Sequence, residues 1–167
     1  MDIKVKGYFD RAENELVLAN ANFSLSTTDE IKAKLGISMD KTFFNNVISE
    51  SYYAIFYCAK AFLLSLGIRT EPPEEHKKAY EEFKKILESE RLDKQLAEIY
   101  EEETNKAETL LKIFFDEKRN RGRFTYNVNA NANRPFAEQS IKNAKFFCST
   151  IKHLVESEEE NKKSKAQ

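Results

Sequence analysis

The chain has 167 residues, 41% apolar and 33% charged, with a formal net charge of −1. That length suits one domain with one core and excludes a need for a second, and the low counts of Gly (4) and Pro (3) favour helices over turn-rich β structure. Two cysteines, Cys58 and Cys148, are too few for a disulfide framework and lack CxxC spacing, so they read as small buried hydrophobes. The start, Met1-Asp2-Ile3-Lys4, has no signal-peptide apolar run, and no apolar stretch reaches the length of a spanning helix. A soluble cytoplasmic protein is expected.

Between Gly7 and Asn22, Phe9, Ala12, Leu16 and Ala19 recur with the helical period, flanked by Leu18 and Ala21. Ser24 to Thr28 reads as a polar turn. Thr27 and Glu30 have capping-box spacing for a short inserted helix that Gly36 ends. From about Asp40 to Leu66 the apolar residues run from Phe43 through Leu66 on nearly every face, which predicts a central bundle helix closed by Gly67. Pro72-Pro73 and Glu74-Glu75 open the next helix, which carries His76, Ala79, Tyr80 and Phe83.

A long helix is predicted from about Leu92 to Arg121, with Leu96, Ile99, Ala107, Leu110, Leu111 and Phe114 inward and Gly122 as its C-cap. The stretch Phe124 to Arg134 alternates Asn127, Asn129, Asn131 and Asn133 with other residues, which favours Asx turns and a long loop. After Pro135 the positions Ala137, Ile141, Ala144, Cys148, Ile151 and Val155 form one narrow seam. The whole predicts an all-α antiparallel up-and-down bundle of four to five main helices plus the short insertion. Residues 1–157 form its single domain, and a charged tail spans 158–167, with disorder expected from Asn161 to Gln167.

Chemistry concentrates in Arg119-Asn120-Arg121-Gly122-Arg123-Phe124-Thr125-Tyr126. From Lys118 to Ala137 there are five cations, Lys118, Arg119, Arg121, Arg123 and Arg134, and no carboxylate. Guanidinium forks suit phosphate, so Arg119, Asn120, Arg121, Arg123 and Arg134 are the candidate nucleotide- or RNA-binding residues. A solvated helix end is the plain alternative. Arg119 and Arg121 do not share a face if the helix continues past them. Tyr126 also suits a core or interface aromatic, Phe124 suits packing, and the Tyr52, Tyr53, Phe56 and Tyr57 cluster reads mostly as core, with part of it free to line a dimer seam.

The run from Ser51 to Gly67, SYYAIFYCAKAFLLSLG, resembles the central helix of HEPN proteins. His76-Lys77-Lys78 resembles the start of that family's third helix, and the Arg-rich stretch with Tyr126 falls where the family signature lies. The resemblance extends from the first helix through Val155. It implies a HEPN-like helical bundle, a homodimer with the two signature segments face to face, and metal-independent RNA cleavage in active members. Those members carry an Arg, a polar residue and a His four to six residues beyond the Arg. Here Arg119-Asn120 matches the beginning, but Phe124 stands where histidine would. A second register, from Arg121 to Tyr126, resembles the histidine-free form. Both registers share Tyr126, which resemblance to the HEPN partner of minimal nucleotidyltransferase (MNT) pairs makes a position for AMP modification.

Three readings follow. The first is a HEPN protein of a prokaryotic toxin–antitoxin or defence type system, with a possible MNT nucleotidyltransferase partner, that binds nucleotide or RNA and is catalytically weak or inactive. The second is an active metal-independent endoribonuclease in which Arg119 and Arg121 stabilise the phosphorane and Tyr126, or His76 as an accessory group, replaces the usual base. A tyrosine of ordinary pKa, about 10, needs strong depression for that role. The third is a dimerisation domain with no nucleic-acid role. No cofactor, metal or membrane association is expected.

Overall fold

The computed structural model describes residues 1–87, 106–127 and 132–164, and these contain six helices and no strand. Helix α1 spans Ile3–Thr27, α2 Asp29–Lys34, α3 Phe44–Ser65, α4 Glu75–Leu87, α5 Lys106–Tyr126 and α6 Arg134–Ser164. The predicted start near Leu92 and the inward placement of Leu96, Ile99 and Ala107 lie outside the described residues and side chains, as do Asn129 and Asn131 of the loop and residues 165–167 of the tail.

Asp2 caps α1 by accepting from the Lys4 amide at 2.7 Å. Contrary to the expected turn from Ser24, α1 continues to Thr27. The hydroxyls of Ser26 and Thr27 donate to the carbonyls of Asn22 and Phe23, so these residues stay in the helix. Thr28 precedes α2 without a side-chain cap, so the Thr27–Glu30 capping box does not form. Phe9, Ala12 and Ala19 are buried as predicted, whereas Leu18 and Ala21 face solvent.

Gly36 and Gly67 do close α2 and α3. Each takes a positive φ, 66° and 80°, that other residues adopt only with strain. After Gly67 the Ile68 amide reaches back to the Leu63 carbonyl at 2.9 Å, which satisfies a terminal carbonyl of α3. Pro72 and Pro73 lie just before α4 rather than in its first turn.

Contacts between helices fix their directions. Asn22 donates to Glu50 and the Phe43 amide donates to Ser26, while Tyr8 stacks on Tyr57, so α1 and α3 are antiparallel. Thr125 meets Ser49 and Phe114 meets Tyr52, which sets α5 antiparallel to α3. Phe114 touches Phe147 and Phe124 touches Phe136, which sets α6 antiparallel to α5. The four long helices thus form an up-and-down bundle, with α4 packed against α3 and α5.

Buried positions cover nearly every face of α3, which contacts α1, α4, α5 and α6. Phe62, Phe83, Phe114 and Phe147 form the aromatic centre. The face of α6 is wider than the predicted seam. Ala137, Ile141, Ala144, Ile151 and Val155 are buried, Cys148 is half-buried, and Phe147 and Leu154 join them because α6 packs on α1, α3 and α5 together. That helix runs through the boundary expected at 157/158. No described helix is long and apolar enough to cross a membrane.

Candidate functional site

The C-terminal turns of α5 build the site. Gly122 does not end the helix, which continues to Tyr126. A glycine inside a helix costs about 1 kcal/mol relative to alanine, and contacts on the last turn offset that cost. Phe124 is buried against Phe136, the Thr125 and Ser49 hydroxyls hydrogen-bond, and Arg121 is tied to α3. Because α5 stays helical, residues two apart diverge, and the cations are distributed rather than clustered.

Two of these cations are half-buried: Lys118 lies over the Tyr80 ring of α4 at 5.2 Å, and Arg121 enters the tyrosine-lined rim of the bundle. Its Nη2 donates to the Tyr53 hydroxyl at 2.6 Å, and its guanidinium carbon lies 5.5, 5.0 and 5.0 Å from the ring centroids of Tyr52, Tyr53 and Tyr126. Among the described residues no carboxylate pairs with it, and its Nε is buried without a hydrogen-bond partner. Aromatic faces attract a guanidinium without neutralising it. The group therefore keeps its charge and spare donors for an incoming anion.

His76, in the first turn of α4, completes the cluster. Its Nδ1 shares a 2.9 Å hydrogen bond with the Tyr52 hydroxyl, and its ring lies 4.0 Å from that of Phe56. Burial lowers the imidazole pKa below its usual value, and the Arg121 guanidinium lowers it further. A neutral imidazole results near neutral pH, with Nε2 left for proton transfer. Burial pushes the Tyr52 phenol well above the ordinary tyrosine range, so Tyr52 orients His76 as a neutral hydroxyl.

The remaining predicted residues lie elsewhere. Arg119 is exposed and pairs with Asp116 at 3.2 Å, close to Phe115. Arg123 is exposed and lies against Phe124. Arg134 lies over Phe23 of α1, at the start of α6. Asn120 hydrogen-bonds towards Glu117, which is 1% exposed. Glu117 accepts from Ser140 at 2.7 Å and from Asn143 at 2.8 Å, and burial raises its carboxyl pKa. Phe124 is core, a packing residue against Phe136.

The HEPN domain model matches residues 27–154. The chain belongs to the HEPN family. No curated protein matches it. Membership supports a nucleic-acid-related or toxin–antitoxin type of role for this HEPN protein. Among its described residues no group of three or more His, Cys, Asp or Glu is placed to hold a metal ion.

Sequence reasoning missed Tyr52, Tyr53 and Glu117 as parts of this region. The two tyrosines were legible only as bulk on a central helix, since their hydroxyl partners lie 24 and 68 residues away. A carboxylate one residue before the acid-free stretch was the available signal for Glu117.

Proposed function

We propose that this HEPN protein binds RNA or a nucleotide through Arg121, within a prokaryotic toxin–antitoxin or defence type system, and that its catalysis is weak or absent. The observation that carries the reading is the Arg121 guanidinium itself, charged, framed by three phenol rings and unpaired with any described carboxylate. A phosphate oxygen takes the remaining donors, and the exposed Tyr126 ring offers a stacking face for a base. Arg119 and Arg123 add local positive potential rather than direct grip. The loss of the signature histidine to a core Phe124 supports weak catalysis.

A homodimer and an MNT nucleotidyltransferase partner belong to the same reading. Its support is that Phe115, Arg119 and Tyr126 recur along one exposed face of α5, with the Tyr126 residue 68% exposed. That exposure also supports Tyr126 as the hydroxyl that accepts AMP.

The placement of His76 beside Arg121 favours a second reading, metal-independent RNA cleavage. With the Nδ1 proton donated to the Tyr52 oxygen, His76 Nε2 takes the proton of a ribose 2′-hydroxyl and the oxygen attacks the adjacent phosphorus. The bond to the 5′ oxygen then breaks, and that oxygen is protonated by water. Arg121 offsets the charge of the phosphorane.

The test is incubation of the protein with a mixed RNA pool in EDTA, beside Arg121→Gln, His76→Ala and Tyr126→Phe. Retarded, intact RNA that is released by Arg121→Gln is the expected result. Cleavage lost in both His76→Ala and Arg121→Gln establishes the second reading. Neither signal overturns both and leaves the interaction domain.

A further inference from the structure

A groove of about 460 Å³ lies on the opposite end of α3, against the N-terminal half of α1 and the connection from α3 to α4. Its size falls within the range of small-molecule sites, about 300–1,000 Å³, and it belongs neither to the Arg121 cluster nor to the reading built on it.

Lys4, Gly7, Tyr8 and Arg11 recur along one face of α1 and form one wall. Leu64 and Ile68 supply apolar surface opposite. Lys60 is already neutralised. It pairs with Glu75 and lies 4.7 Å from the Tyr8 ring centroid; burial pulls its pKa down, and its hydrogen bonds to Glu75 and Tyr8 more than offset that. Lys4 and Arg69 line the groove and form no ion pair with any described residue. Two further observations point to a ligand. Thr70, 7% exposed, lines the groove with its Oγ1 buried and unpartnered, although buried hydroxyls are nearly always satisfied. The other is the place of Gly7, in the second turn of α1, where glycine is unfavourable within a helix and where its missing side chain leaves the groove wall open.

We infer that this groove binds a small organic oxyanion, a carboxylate or a phosphate monoester on an apolar or aromatic body. The body lies against Tyr8, Leu64 and Ile68, and the oxyanion meets the Arg69 fork, Lys4 and the Thr70 hydroxyl. The absent side chain of Gly7 leaves the entrance open.

The test is calorimetric titration of the full chain with phenyl phosphate and with phenylacetate, which separate the two oxyanions. Inorganic phosphate and benzyl alcohol serve as the head without the body and the body without the head. Saturable one-to-one binding of at least one aryl oxyanion is expected, weakened about tenfold or more by Arg69→Gln and abolished by Gly7→Leu. Thr70→Val supplies a second readout. Removing an unpartnered buried hydroxyl raises the Tm of the free protein while affinity falls, whereas a purely structural hydroxyl lowers the Tm. No saturable binding of either aryl oxyanion overturns the inference. So does binding indifferent to both Arg69→Gln and Gly7→Leu, or equal affinity for inorganic phosphate or benzyl alcohol.

Discussion

His76 and Glu117 carry opposite pH signatures. The folded pKa of His76 lies below the usual 6.5, lowered first by burial and then by Arg121. In the window below 6.5 the unfolded chain binds more protons, so this group's contribution to stability is lost as pH falls through it. An NMR titration of His76 is expected to show a midpoint below 6.5 that rises in Arg121→Gln, since that cation is the second cause. An unmoved midpoint contradicts the adjacency. The folded pKa of Glu117 lies above 4.5 through burial, so its contribution falls as pH rises from 4.5. Urea unfolding across that window is expected to show a flatter pH dependence for Glu117→Gln. Replacing it with Leu leaves Ser140 and Asn143 without their acceptor and costs about 1–3 kcal/mol. The arginine-rich stretch was legible as chemistry, but composition could not separate Arg121 from Arg119 and Arg123. What separates them is the pair of tyrosines that α3 sets against Arg121, placed by folding rather than by spacing.

The helices themselves were largely legible, because burial of one face imposes a period of 3.6 on α1 and α6, and burial on nearly every face makes α3 one long apolar run. Their ends were less so. Gly67 and Gly122 each read in the sequence as the close of a long helix, yet Gly67 takes a φ of 80° and Gly122 lies inside α5. Local signals cannot distinguish them, since the contacts of Phe124 and Thr125 that extend α5 are long-range. The two therefore respond oppositely to alanine. Gly67→Ala is expected to destabilise by about 1 kcal/mol, through the left-handed conformation. Gly122→Ala stabilises by about 0.5–1 kcal/mol, since a Cβ there meets nothing within 4 Å. Paired urea melts measure both, and destabilisation by Gly122→Ala contradicts the continued helix. The polar residues Ser24 to Thr27 misled in the same way, since hydroxyls that favour turns here bond back to the preceding carbonyls.

At the scale of the molecule, the bundle holds α3 as an axle, with Tyr52 and Tyr53 presenting hydroxyls at one rim and Lys60 neutralised by Glu75 at the other. The all-α class followed from composition and period, and the family from the α3 run; the assembly of His76, Arg121 and Tyr126 did not, because α4 and α5 meet only through tertiary packing. The central claim is that Arg121, rather than the charge of the segment as a whole, grips nucleic-acid phosphate. The direct measurement is fluorescence anisotropy of a labelled single-stranded RNA against the wild type, Arg121→Gln, Arg121→Lys and Arg123→Gln at one fixed salt concentration. Loss of about tenfold or more in affinity is expected for Arg121→Gln, partial loss for Arg121→Lys, which keeps charge without the fork, and a small change for Arg123→Gln. Equal losses for Arg121→Gln and Arg123→Gln, with Arg121→Lys indistinguishable from wild type, would show a diffuse basic surface and contradict the account.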